Sequence, residues 1–198
     1  MATLNEFISR IKGDGLAREY RFEVLITPPL SVSSKIGTTE KLVFYCQSAT
    51  MPGINFLSNP VLTFGESREV IYNRTFEPVE LEFLVNSQME AKTYFDQWSN
   101  VIIDPVTRLS GYYNDYVGTI DISQLLYQVG GKETRYTVRL YEAFPKAIQA
   151  IQYSASSKEL TKLRVSIQYK YWDVIERPTV VRQTTLDVPN SQSTDSPI

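Results

Sequence analysis

The sequence predicts a mainly β domain with two helices, and three observations carry that expectation. Apolar residues alternate with polar ones at period two in most strand-like segments. Only two segments show a capped start followed by helical spacing. Aromatic residues make up 12% of the 198, with 13 Tyr, and Tyr suits a strand face that buries its ring while the hydroxyl stays wet. At 198 residues the chain is one domain with appendages.

Thr3 and Glu6 fit a capping box, and Leu4, Phe7, Ile8 and Ile11 line one side of a short helix that stops at Gly13. Over 20–26, Tyr20, Phe22, Val24 and Ile26 fall on one face of a strand that Pro28 and Pro29 end. Residues 28–40 read as a polar surface loop. A second strand over 41–47 sets Leu42, Phe44 and Cys46 on one side, which makes Cys46 a small core residue. After Met51-Pro52-Gly53, short strands at 61–64 and 68–72 flank a Gly65-Glu66-Ser67 turn. The arm 54–72 carries Ile54, Phe56, Leu57, Val61, Leu62 and Phe64 with too little alternation to bury them on one side, so it calls for a partner.

Val79, Leu81, Phe83 and Val85 alternate with Glu80, Glu82 and Leu84, a strand with an acidic outward face. Ser87 and Glu90 fit a second capping box and open a helix with Ala91, Tyr94, Phe95, Trp98 and Ile102 on one stripe, Trp98 being its core anchor. Further strands are expected at 117–124, 135–142, 148–153 and 162–172. The β domain then spans 1–176, and 177–198 form an extension whose last ten residues lack apolar side chains to pack and are expected to be mobile.

Composition excludes much chemistry. There is no His, and Cys46 is the single Cys, so imidazole-dependent nucleophilic sites, His-containing zinc sites and internal disulfides are out. Twenty Lys and Arg against 22 Asp and Glu leave a net charge of −2, without the basic footprint of a phosphate-neutralising binder. Gly13-Asp14-Gly15 lacks the Lys and Ser or Thr of a phosphate loop. Glu80 and Glu82, two apart on a strand, share a face that suits solvent or a pore better than acid–base catalysis. No apolar run approaches a membrane span, and Asn5, Glu6, Arg10 and Lys12 interrupt any signal peptide. No catalytic, cofactor-binding or metal-binding residue is expected, and the chain is read as a non-enzyme. What remains is a structural protein that assembles, or a monomeric β-sandwich module that binds a glycan or protein.

Several segments, taken in order, carry a resemblance. They are Phe22-Glu23-Val24-Leu25-Ile26, Phe44-Tyr45-Cys46-Gln47-Ser48-Ala49-Thr50-Met51-Pro52-Gly53, Asn73-Arg74-Thr75-Phe76, Phe95-Asp96-Gln97-Trp98, Phe144-Pro145 and Val165-Ser166-Ile167-Gln168-Tyr169-Lys170-Tyr171-Trp172. Together they resemble the tail tube proteins of contractile-tailed bacteriophages, relatives of the type VI secretion tube protein, over most of 3–173. The resemblance implies a ring-forming β-sandwich or small barrel flanked by a helix, in six-membered rings stacked as a conduit for genome ejection. It implies no cofactor, and as partners further copies of the chain with tail sheath, baseplate and tail terminator proteins. It places the chain in the virion tail, assembled in the host cytoplasm, with the 54–72 hairpin reaching adjacent subunits and rings. A baseplate tube initiator and the tube of a non-viral contractile injection system are the alternatives. DNA passing through a lumen without specific binding needs an acidic or neutral lining. Glu80 and Glu82 are therefore the lumen-facing candidates, while Arg135, Arg139, Arg164 and Lys170 are expected on faces turned to the sheath or to neighbouring subunits.

Overall fold

The computed structural model describes residues 17–33, 45–62, 65–127, 133–154, 156 and 159–176. The expected helix near the start, Leu42, Phe44, Phe64 and the extension 177–198 lie outside the described residues. In order, the elements are β1 (Phe22–Thr27), α1 (Leu30–Ser33), β2 (Cys46–Ala49), β3 (Asn55–Val61), β4 (Arg68–Thr75), β5 (Val79–Leu84), α2 (Glu90–Ile102), α3 (Tyr113–Tyr116), β6 (Gly118–Tyr127), β7 (Glu133–Ile148), β8 (Lys162–Gln168) and β9 (Tyr171–Glu176). The fold is mainly β. Seven strands form one antiparallel sheet in the order β1-β6-β7-β8-β5-β2, with β9 also paired to β7, and β3 pairs only with β4.

The 16-residue β7 organises this sheet by serving two halves. Its first part lies between β6 and β9, and its last part pairs with β8. The halves meet at a corner where both long strands slip phase. Val138 and Leu140 are buried before the corner, and Ala143 and Pro145 after it. The odd residue is Glu142, whose φ of 52° is left-handed. Opposite it, Val165, Ile167 and Tyr169 are buried, while Lys170 and Tyr171 turn outward before Trp172 and Val174 pack against the core. The two bulges are joined, since the Lys170 amide donates to the Tyr141 carbonyl at 3.1 Å and Lys170 Nζ donates to Glu142 Oε1 at 2.7 Å. The expectation of separate strands at 135–142 and 148–153 is therefore corrected to one kinked strand that ends at Ile148, with 149–153 outside any strand, and the single strand at 162–172 to two strands split at the kink.

One core fills the space between the halves. Val24, Ile26, Ile120, Ile122, Val138 and Leu140 come from one half and Val79, Leu81, Phe83, Leu163, Val165 and Ile167 from the other. Helix α2 adds Ala91, Tyr94, Phe95 and Trp98 on the spacing its sequence dictates. Phe95 stacks parallel to Trp98 at 6.5 Å and meets Phe83 at 5.3 Å, while Tyr94 meets Phe95 and Trp98 edge-on. Trp98 is fully buried, and its indole donates to the Tyr116 carbonyl at 2.7 Å. Gly118 lies beneath that ring, where a Cβ would sit 2.5 Å from the Thr27 carbonyl oxygen and 3.3 Å from Trp98.

Four local expectations change. The start of α2 is capped not by Ser87 but by Asn86, whose Oδ1 accepts from the Glu90 amide at 3.0 Å while its Nδ2 donates to Glu90 Oε2 at 2.8 Å. Met89, left-handed at φ 56°, turns the chain so that Asn86 rather than Ser87 reaches the first turn. The stretch after Pro29 is not all polar loop, because α1 buries Val32 completely. The strand that ends at Val61 begins earlier than expected, at Asn55, and the described end of the strand expected at 41–47 belongs to Cys46–Ala49.

Candidate assembly surfaces

The β3–β4 hairpin stands apart from the core. Every residue of β4 is exposed, and in β3 only Ser58 is half-buried. Its pairing sets Phe56, Ser58 and Pro60 opposite Arg74, Ile71 and Glu69, and sets Leu57, Asn59 and Val61 opposite Asn73, Val70 and Arg68. Directly opposite residues share a face and successive ones alternate, so Phe56 with Ile71 lie on one face and Leu57, Val61 with Val70 on the other. Each face therefore carries exposed apolar side chains, Phe56 being 59% and Ile71 60% exposed. Leu62 and Ile54 are exposed as well. A one-residue irregularity between Leu57 and Ser58 leaves Tyr72 without an opposite residue.

Only the base of the hairpin is anchored to the body. Asn55 donates to Glu77 at 2.6 Å, the Trp172 indole donates to the Gly53 carbonyl at 3.3 Å, and Phe76 meets the Tyr169 ring at 5.7 Å. Arg74 lies over Phe76 at 5.4 Å. The arm thus springs from the corner of the sheet.

The turn after α2 is a second exposed apolar surface, which the sequence reading passed over. Asp104 accepts from the amides of Val106 at 2.7 Å and Thr107 at 2.9 Å, the Arg108 amide closes on the Asp104 carbonyl, and Ile103 bridges to Ser110. This compact turn holds Val106 and Leu109 in solvent. Val70, Ile71 and Tyr72 lie within the arm 54–72 but were not singled out among its apolar residues, and all three are exposed. The available signal was a cluster of apolar residues between turn residues, both at 106–109 and at 70–72.

The charged residues are arranged differently from the expectation. Glu82 and Arg164 are direct cross-strand neighbours, so they share one face. Glu82 accepts from Arg164 at 2.7 Å and lies 3.1 Å from Lys162. Arg139 forks onto Asp121 with bonds of 2.7 and 2.6 Å across β6 and β7. The expected placement of Glu82 and Arg164 on different faces is corrected, because antiparallel register sets the two side by side. Of the lumen candidates, Glu80 is exposed while Glu82 is already neutralised. Arg164, then Lys162, hold the Glu82 carboxyl below its usual range. Lys170 does the same for Glu142. Burial, then the hydrogen bond it donates to Glu142, pushes the Tyr113 hydroxyl up to about 12. These carboxylates stay charged until the pH falls through their depressed values.

Cys46 is half-buried, and burial pushes its thiol up to about 12, so it is an unreactive packing residue. Among the described residues no group of three His, Cys, Asp or Glu could hold a metal ion, and no helix is long and apolar enough to cross a membrane.

Comparison with known proteins agrees with this architecture. The fold is similar to a chain from the tube-terminating cap of the anti-feeding prophage, at 18% identity and TM-score 0.59 over 82% of this chain and 92% of that one. It is similar to a chain of the PVC extracellular contractile injection system sheath–tube complex, at 15% identity and TM-score 0.58 over 89% and 100% of the two chains. A chain of the anti-feeding prophage baseplate matches at 15% identity and TM-score 0.58 over 81% and 96%. No curated protein sequence matches significantly. The sequence profile described as phage tail tube protein covers residues 17–175, and with a two-halved β fold, a flanking helix and a projecting hairpin, the chain belongs to the phage tail tube protein family.

Proposed function

We propose that the chain is the repeating subunit of a tail tube, forming six-membered rings that stack into the conduit for genome ejection. The observation that supports this best is the hairpin with apolar side chains on both faces. A single docking surface would cover one face only, whereas a hairpin held between two neighbours has both covered. Repeated head-to-tail contacts that do not close give a filament. The free ladder edges fit the same reading, since among the described residues β1 and β9 each have a partner strand on one side only. Edge pairing between subunits would satisfy those backbone groups. Sheath, baseplate and terminator proteins would then meet the outside and the ends of the tube.

Negative-stain microscopy of the purified chain tests this proposal. Tubes of uniform width are expected; single rings would favour the baseplate initiator, and dispersed monomers would favour the binding module. Glu80 and Glu82 are proposed to line the bore. A second lining is favoured by the two free edges of β1-β6-β7-β9, whose outward face carries Asp121 and Asp173 on either side of Arg139. Because the Cys46 thiol stays protonated, a Cys placed at Glu80 or at Asp173 can be labelled selectively. In assembled tubes the bore-facing one should react with a small thiol reagent and resist a bulky one.

A further inference from the structure

Lys and Arg side chains are scarce on the two halves of the sheet and nearly all are occupied. Those described on β7, β8 and the corner are Arg139, Lys146, Lys162, Arg164 and Lys170. Arg139 is held by Asp121, Lys162 and Arg164 by Glu82, and Lys170 by Glu142, all within 3.1 Å. Lys146 alone has no carboxylate partner among the described residues. Each of these carboxylates sits where a phosphate oxygen would sit to bind the same cation, and Asp121 takes the forked guanidinium geometry that phosphate also takes. Stability is a weak reason for such pairs, since exposed ion pairs contribute little.

We propose that Asp121, Glu82 and Glu142 act as internal stand-ins for phosphate, occupying every described cation of β7, β8 and the corner except Lys146, so that a nucleic acid moving along the sheet finds little to hold. The purpose rests on the conduit reading; the masking itself does not. The partner addressed is a polyanionic duplex, and the device works on either outward face, so it does not depend on which one lines the bore. Removing a mask should create binding where none existed. Each exposed cation that meets a phosphate adds roughly 0.9 to the slope of log affinity against log salt concentration.

The test is fluorescence anisotropy of a short labelled duplex DNA with the full chain, at neutral pH over a salt series. Wild type should bind negligibly. Glu82→Gln should gain at least about tenfold in affinity at low salt and steepen the slope by about 2, and Asp121→Asn by about 1. Adding Lys162→Gln and Arg164→Gln to Glu82→Gln should abolish the gain, which a merely structural role for Glu82 would not predict. The proposal is overturned if both single variants keep the wild-type circular dichroism and bind no tighter, or if wild type already binds with the same slope. Should one variant not fold, the other, on the opposite half of the sheet, decides alone. Microscopy separates this outcome from the tube reading: a gain of binding without tubes removes the latter only, and tubes without a gain remove the masking only.

Discussion

Strands β4 and β5 are separated by only three residues and are of similar length, yet only β5 is covered by the core of its own molecule. In β5 the alternation is complete: Val79, Leu81 and Phe83 are buried while Glu80 is exposed. In β4 every position is exposed, and Val70, Ile71 and Tyr72 are apolar all the same. An isolated two-stranded hairpin is marginal in water. What holds β5 is the core of its own molecule, whereas the burial that β3 and β4 lack is proposed to come from other copies. Period-two alternation therefore marks strands that bury one face in their own core, and its absence in a well-paired hairpin leaves both faces exposed.

Several measurements would break or sharpen that contrast. The largest effect is expected from Phe56→Ser with Leu57→Ser, which strips one apolar residue from each face of the arm: tube formation by microscopy should be lost while the melting temperature of the subunit is unchanged. Retained tubes of wild-type length would remove the arm from assembly. Trp98→Ala, in the self-satisfied body, should cost about 3 to 5 kcal/mol in denaturant titration, as large-to-small core changes do. Gly118→Ala should cost about 1 to 3 kcal/mol, because its Cβ meets backbone at the Thr27 carbonyl and the buried Trp98 ring leaves no room to shift. The smallest effect is expected from Tyr94→Phe. The buried Tyr94 hydroxyl has no hydrogen-bond partner among the described residues, so its removal should raise stability by about 1 kcal/mol; a loss of that size would reveal a bonded hydroxyl.

The contrast also explains what could be read from the sequence. The strand at Val79–Leu84 and the helix with Trp98 were legible because one side of each faces a single core, which imposes one period throughout. Strands β7, β8 and β9 were misdivided because the period breaks inside them: Glu142 and Lys170 each add a residue, and Pro145 imitates a strand end. The need for a partner at 54–72 was legible from apolar content, but the strand begins earlier than expected, since β3 runs from Asn55 with Pro60 at a ladder position. The pairing of Glu82 with Arg164 was not legible for a different reason. Faces can be guessed strand by strand, but which charges become neighbours depends on register, and nothing local to Glu82 announces Arg164.

The coupled slip at Glu142 and Lys170 makes the lengths of two strands interdependent. Deleting Glu142 alone would restore simple alternation from Val138 to Pro145 and turn one part of β7 inside out, sending either the 138 and 140 positions or the 143 and 145 positions to the surface. Deleting Lys170 alone would do the same along the facing ribbon. Only removing both leaves the two strands in step, at the cost of the bend between the halves. Insertions and deletions near this corner should therefore be tolerated in matched pairs, while a single one is felt across the whole sheet.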